Sequence, residues 1–465
     1  MNSRLTTAAA SIWVKTTITS APVIYGQWNW IDDVTERFTI AKFRWIIAGM
    51  LLISTTINYT DRVTLSVPIG DVRRSLSLGE ADYGQIVSLF MFSYAIMYAG
   101  SGYVVDRLGA RRGFAVFAFL WSVAQMLHGL VVGKWSLAGC RFLLGLAEPG
   151  NFPAAVKVVR EWFPETQRAL GVGIFNAGSS LGAAVASPLA AWLGLVYGWR
   201  AAFVFTGALG LVWLAFWLLL YQPPALNPWI TQRQRVIAAN ASPVPKQTAS
   251  LHPPWRNVLG SRACLILMLV RFLSDPVIYF VIFWLPAYLE KERGFSLGMV
   301  GRYAWTPYVF GDIGYVLGGW LSGWLIEHGW SLPKSRKCVM ALGACLMPAA
   351  IAAPLVPSAE AALAAMCGVV LGHAIWIANL MTLPADLFSD TSVATATGFC
   401  GMAGSLGGAL ANLATGYVVS RVSYSPVFVF AAVAHPISMA ILFAFLPARL
   451  FLIRSNTLRA PQFAP

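Results

Sequence analysis

Charged residues are scarce in this sequence. Asp, Glu, Lys and Arg make up 11% of its 465 residues, against roughly 25% in a soluble domain. Acidic side chains are the scarcest, 19 against 33 Lys and Arg. Cysteine is sparse too, and Cys140, Cys264, Cys338, Cys345, Cys367 and Cys400 all fall in or beside apolar segments. No pair has a metal-ligand spacing and no disulfide framework emerges, so they read as small buried apolar side chains. No nucleophile–base set, metal cluster or phosphate-cradling loop occurs, which argues against an enzyme and predicts no cofactor and no metal. Residues 1–43 hold Asp32, Asp33 and Glu36 and no long apolar run. They read as a soluble extension rather than a cleavable leader, ahead of an uncleaved first span.

What is abundant is apolar. Hydrophobic residues reach 57%, and Trp, Phe and Tyr reach 13%, which suits a chain with two membrane–water interfaces to anchor. Segments of about 20 mostly apolar residues, the length that crosses a bilayer, fall near 44–67, 83–105, 113–133, 135–157, 169–193 and 200–221. Six more fall near 263–289, 299–326, 338–357, 361–384, 393–419 and 427–447. Unpaired strand edges cannot sit in hydrocarbon, so these are helices. The fold class is all-α integral membrane, with twelve transmembrane helices, numbered here as spans 1 to 12.

The formal charge of +14 raises nucleic acid as a partner, but its distribution points to a membrane instead. With the N-terminus inside, 22 Lys and Arg fall on the cytoplasmic side, 8 on the other and 3 (Arg62, Arg141 and Arg271) within spans. This is the positive-inside pattern, with both termini cytoplasmic and lipid rather than nucleic acid as the surrounding partner. One cytoplasmic loop is discordant, having Asp386 and Asp390 and no basic residue.

The stretch 222–262 is rich in proline, with five basic residues and no acidic one, and reads as a cytoplasmic linker. It separates a bundle at 44–221 from another at 263–447, followed by a tail at 448–465. An internal repeat supports the division. Gly102-x3-Asp106-Arg107-x-Gly109 with Arg111-Arg112 after span 2 matches Gly323-x3-Glu327-His328 with Lys334, Arg336 and Lys337 after span 8. Ala177-Gly178-Ser179 with Gly182 in span 5 matches Ala403-Gly404-Ser405 with Gly408 in span 11. Two pseudo-symmetric six-helix bundles are a recurrent transporter plan, with the site near the midplane between them.

Charges inside apolar spans are costly unless they face water or a partner. This chain puts Asp61, Arg62, Arg141, Glu148, Arg271, Asp275 and Asp312 there. At about 1.5 Å per residue, Arg62 lies about 27 Å from the inner start of span 1 and Arg141 about 9 Å below the outer start of span 4. The two therefore reach similar depth. Glu148 lies two turns further along span 4, on the same face as Arg141. Arg271 and Asp275, four apart, form a natural intrahelical pair. Glycines 178, 182, 404, 407 and 408 permit close helix approach. Pro149, Pro153, Pro276 and Pro307 should kink their helices. His128 and His435 read as packing histidines.

The segment Gly102–Arg112 resembles the loop signature of the major facilitator superfamily, with Ala110 where a basic residue is common. Asn58-Tyr59-Thr60-Asp61-Arg62, Arg141-Phe142-x2-Gly145-x2-Glu148-x-Gly150-Asn151-Phe152-Pro153 and Trp162-Phe163-Pro164 resemble its anion:cation symporters. Arg271-Phe272-Leu273-Ser274-Asp275-Pro276, His373-x2-Trp376-x-Ala378-Asn379-Leu380 and Gly401-Met402-Ala403-Gly404 look most like hexuronate transporters. The resemblance spans roughly 44–450. It implies a monomer in a bacterial cytoplasmic membrane that carries a small organic anion, such as galacturonate or glucuronate, with protons. In the loop signature Gly102, Asp106, Arg107, Gly109, Arg111 and Arg112 would brace neighbouring helices.

On this basis Arg62 would take the substrate carboxylate, its fork matching two oxygens. Glu148 and Asp61, near Arg141, would carry protons, since burial and a neighbouring arginine act on such a carboxyl in opposite directions. Tyr59, Tyr94, Ser179, His373, Trp376, Asn379 and Ser405 would meet the substrate. The alternatives are a transporter of another monocarboxylate (a hexonate or an aromatic acid), an anion exchanger, a passive channel and a membrane-embedded enzyme.

Overall fold

The computed structural model of the chain describes residues 39–241, 255–295, 299, 303 and 305–447. The N-terminal extension up to residue 38, residues 242–254 of the linker and the tail from 448 lie outside them. The described residues are helical, with no strand. Span 1 is Ile40–Val63. Spans 2 and 3 share the run Glu80–Leu127, which turns at Gly109, where φ is +78°. The arms fold back so closely that a Cβ on Gly113 would lie 2.9 Å from the Cα of Val105. A side chain at position 109 would be strained in this left-handed region, so glycine makes the one-residue turn possible.

Span 4 is broken. Lys134–Ala147 and Asn151–Trp162 are joined by a tight turn at Glu148–Gly150 that contains Pro149. Span 5 is Arg168–Tyr197 and span 6 is Trp199–Leu220. Span 7 is broken at Asp275 into Arg262–Ser274 and Pro276–Lys291. Span 8 is Thr306–Glu327, and span 9 combines Leu332–Leu346 with Ala349–Leu355. Spans 10, 11 and 12 are Ala359–Leu380, Val393–Arg421 and Ser425–Phe445. Among the described residues, ten helices are individually long and apolar enough to cross a membrane. The other two of the twelve passes are hidden by the merger of spans 2 and 3 and by the break in span 4. Of the four prolines expected to kink helices, Pro149 and Pro276 sit at breaks. Pro153 and Pro307 lie in first turns, where a missing N–H costs nothing.

The packing repeats between halves. Span 1 lies on span 5 as span 7 lies on span 11, and across the halves span 2 meets span 11 as span 8 meets span 5. Matched glycines set the spacing. A Cβ on Gly178 would lie 2.5 Å from the carbonyl oxygen of Leu52, and one on Gly404 would lie 2.0 Å from Asp275 Oδ2. Lipid is as apolar as leucine, so close approach of this kind, rather than water exclusion, holds such helices together. Large apolar side chains cover the outside, with Leu195 88% and Leu413 74% exposed. That surface is suited to hydrocarbon, and the chain is a multi-pass membrane protein. Contrary to the reading of the cysteines as buried, Cys338 and Cys345 are exposed. A small, weakly polar thiol is tolerated on such a surface.

Candidate functional site

A cavity of about 360 Å³ lies between the bundles, within the range of small-molecule sites. It runs from Asn176 and Met381 in the middle of the bundle to Leu65, Ser66 and Tyr83 at the ends of spans 1 and 2.

Arg62, in the last turn of span 1, meets Glu148 at the break of span 4, although helix rise places Arg141, not Glu148, at its depth. Arg62 Nε donates to Glu148 Oε2 at 3.0 Å, with Nη2 2.9 Å from the same oxygen. The Glu148 carbonyl, which accepts from the Asn151 N–H inside the turn, also accepts from Asn58 Nδ2 at 3.3 Å. Glu148 is fully buried, whereas the Arg62 side chain is 19% exposed and lines the cavity. Its guanidinium carbon lies 4.7 Å from the Tyr59 ring centre and 4.5 Å from that of Tyr94. Those rings support the cation independently of Glu148.

The expected four-charge cluster is only partly assembled. Arg141 lines the cavity beside Arg62 without a carboxylate partner. It makes one long bond to the Arg62 carbonyl (3.5 Å), and its buried Nε and Nη2 have no acceptor. Asp61 is adjacent to Arg62 in sequence but points the other way. It is fully buried beside Thr206 of span 6, outside the cavity lining. Gln125 of span 3 bridges its carbonyl (3.3 Å) and the Thr206 hydroxyl (3.0 Å).

Tyr59, Tyr94, Ser179, His373 and Ser405 line the cavity as expected. Trp376 and Asn379 do not, which corrects their assignment to the substrate. Trp376 is fully buried against His435, and the Asn379 amide is spent on the carbonyls of Gly318 (3.0 Å) and Ile375 (3.2 Å). Trp376 shares His435 with His373, and Asn379 faces span 8. Arg271 and Asp275 do pair, Nε to Oδ2 at 2.7 Å, and they line the cavity from span 7. Asp312, half-buried on span 8, is not part of the lining. Sequence reading missed Asn176, Tyr98, Tyr279, Tyr308 and Tyr315 on the cavity wall. A tyrosine inside an apolar span already signals a need for a polar partner or a wet surface, and that signal was available for four of these.

The end of the cavity near Met381 is shut by ion pairs between the halves. Asp106 is the hub. It accepts from Lys157 Nζ (2.8 Å) and, at the start of span 11, from Ala394 N (3.2 Å), Thr395 N (2.7 Å) and the Thr395 hydroxyl (2.7 Å). The helix N-terminus favours that carboxylate. Arg160 pairs with Asp390 and the Ala385 carbonyl. Asp386 holds Arg168 at 3.1 Å and the fully buried Arg336 at 3.0 Å. The acidic loop that looked discordant thus supplies acids to bases of the other half. Gly102 lets span 2 reach this contact, since a Cβ there would lie 2.1 Å from the Ala394 carbonyl oxygen. Of the other signature residues, Gly109 makes the turn and Arg111 donates to the Leu218 carbonyl (2.6 Å). Arg107 and Arg112 are exposed and brace no other helix by an ion pair.

Residues 51–411 match the sequence profile of the Major Facilitator Superfamily. A hexuronate transporter of Escherichia coli (strain K12) is 33% identical over 398 residues, covering 85% of this chain and 92% of its own. A galacturonate transporter of Dickeya chrysanthemi is 33% identical over 313 residues, 67% and 90% of the two chains. The solved structure of the proton:xylose symporter XylE bound to 6-bromo-6-deoxy-D-glucose superposes with a TM-score of 0.71. It has 14% identity and covers 88% of this chain and 97% of that one. The chain belongs to the major facilitator superfamily and is a membrane transporter.

Proposed function

We propose that the chain carries an organic anion together with a proton by alternating access, and that the anion is a hexuronate such as galacturonate or glucuronate. The observation that carries this reading is the arginine pair. Arg62 is held by Glu148, and Arg141 beside it has buried donors with no acceptor. A proton on Glu148 frees Arg62, and a substrate carboxylate then bridges Arg62 and Arg141. One anion plus one proton leaves the summed charge of Arg62, Arg141, Glu148 and Asp61 unchanged, whichever protonation state Asp61 keeps. The loaded and empty carriers therefore face the same cost of burying charge, whereas an uncompensated charge would cost several kcal/mol.

Tyr59, Tyr94, Ser179, His373 and Ser405 offer hydrogen bonds to hydroxyls. Asp61, sealed behind span 1, is a second proton-holding group. The bundles 44–221 and 263–447 rock about the cavity as the Asp106 and Asp386 contacts part and re-form. The charged face is cytoplasmic, as are both termini, in the cytoplasmic membrane of a bacterium, and the carrier works as a monomer. The hexuronate and galacturonate relatives support the substrate class. Uptake of labelled galacturonate into proteoliposomes, with glucuronate, galactonate and an aromatic acid as competitors, tests the reading. Stronger competition by an aromatic acid than by glucuronate would overturn the substrate assignment.

A further inference from the structure

His435 lies in the middle of an apolar helix, span 12, and has no role in the reading above. It is fully buried, yet its Nε2 is 3.1 Å from Nδ1 of His373, which lines the cavity from span 10. The rings meet edge to face, 5.2 Å apart at 79°. Two neutral imidazoles at this distance share one proton, and there are two ways to place it.

In the first, His373 donates from Nδ1. His435 must then carry its own hydrogen on Nδ1, and that atom is buried with no acceptor. In the second, His435 donates from Nε2. Its Nδ1 is then a bare lone pair, and His373 carries its hydrogen on Nε2, the nitrogen left for the cavity. A stranded N–H is the rarer and costlier defect. The surroundings deepen the difference, because the donor-only Trp376 Nε1–H is also buried there without a partner. Trp376 stands 5.3 Å from His435. A pocket already holding one unmatched donor disfavours a second.

We infer that His435 is a positioning residue that fixes His373 as a hydrogen-bond donor toward the ligand, so that the C-terminal bundle selects for oxygen acceptors on a sugar acid. The arginines of the N-terminal bundle take the carboxylate, and His373 takes a hydroxyl or ring oxygen from the other bundle. The ligand is thereby fixed across the two halves. A lone-pair nitrogen at the same place would instead select a donor from the ligand.

This rests on the sugar-acid reading for its ligand, but not for the tautomer. Nitrogen-15 spectra of the full chain in nanodiscs, assigned with His373→Gln, report the tautomer without any transport. The proton is expected on His373 Nε2, and a proton on Nδ1 overturns the inference. In uptake of labelled galacturonate, His435→Phe is expected to raise KM about tenfold, the loss of one well-placed hydrogen bond (about 1.4 kcal/mol), with Vmax kept within about twofold. His435→Gln, whose amide can still donate to His373 Nδ1, is expected to restore KM to within about threefold. An unchanged KM in His435→Phe, or equal impairment in His435→Gln at wild-type melting temperature, overturns it. A wild-type protein that carries no sugar acid would defeat the proposed function, while the tautomer would still be decided by the spectrum.

Discussion

Replacing Glu148 by glutamine keeps the shape of the side chain and removes its charge. In the wild type, a substrate carboxylate must compete with Glu148 for Arg62, held through Nε at 3.0 Å and Nη2 at 2.9 Å. A hydrogen bond to a charged group is worth about 1.5–3 kcal/mol, so the variant should bind the anion roughly tenfold more tightly or better. Arg62 is not stranded, because it stacks on Tyr59 and Tyr94 and reaches the cavity. Folding should therefore survive, as a melting curve would check. The variant gains net positive charge at the site and neutralises the anion without a proton. One pH unit supplies about 1.4 kcal/mol per coupled proton, or about tenfold accumulation in the wild type. In Glu148→Gln, accumulation driven by pH alone should fall to about one, while counterflow of labelled against unlabelled substrate continues. Undiminished pH-driven accumulation in proteoliposomes would refute the exchange between proton and salt bridge.

Arg141→Lys keeps the charge but loses the planar fork, so KM for uptake should rise by about tenfold or more with protein abundance unchanged. Gly102→Val places carbon where the Ala394 carbonyl oxygen stands, 2.1 Å from the added Cβ. It should hold the charged face open, and spin labels at Ser66 and Ile282, across the cavity mouth, should move closer together. Asn379→Leu removes the two amide hydrogen bonds to the carbonyls of Gly318 and Ile375, which keep their helical N–H donors. It should cost about 1–3 kcal/mol of stability, read as a lower melting temperature, with KM unchanged.

Much of the site was legible because charge in an apolar helix is an anomaly that demands a partner. Arg62, Arg141 and Glu148 declared themselves that way. The face of each helix was less legible. His373, Trp376 and Asn379 recur at three-residue steps, but at 3.6 residues per turn the stripe drifts, and only His373 reaches the cavity. Asp61 was grouped with Arg62 by adjacency, although neighbours on a helix point about 100° apart. His435 read only as a packing histidine, since its partner lies 62 residues away on another span. The acids at Asp386 and Asp390 broke the charge pattern of their own side of the membrane. Arg160, which pairs with Asp390, and Arg168, which pairs with Asp386, come from the other bundle, a pairing that only the fold brings together.

The most direct test of the coupled-exchange claim is to count protons against substrate. Wild-type proteoliposomes at equal internal and external pH are given galacturonate while external pH is recorded and labelled uptake is measured in parallel. One proton should leave the medium for each anion taken up, giving an alkaline shift that scales with uptake. Uptake with no pH change, or with a shift that does not follow the amount carried, would contradict the account.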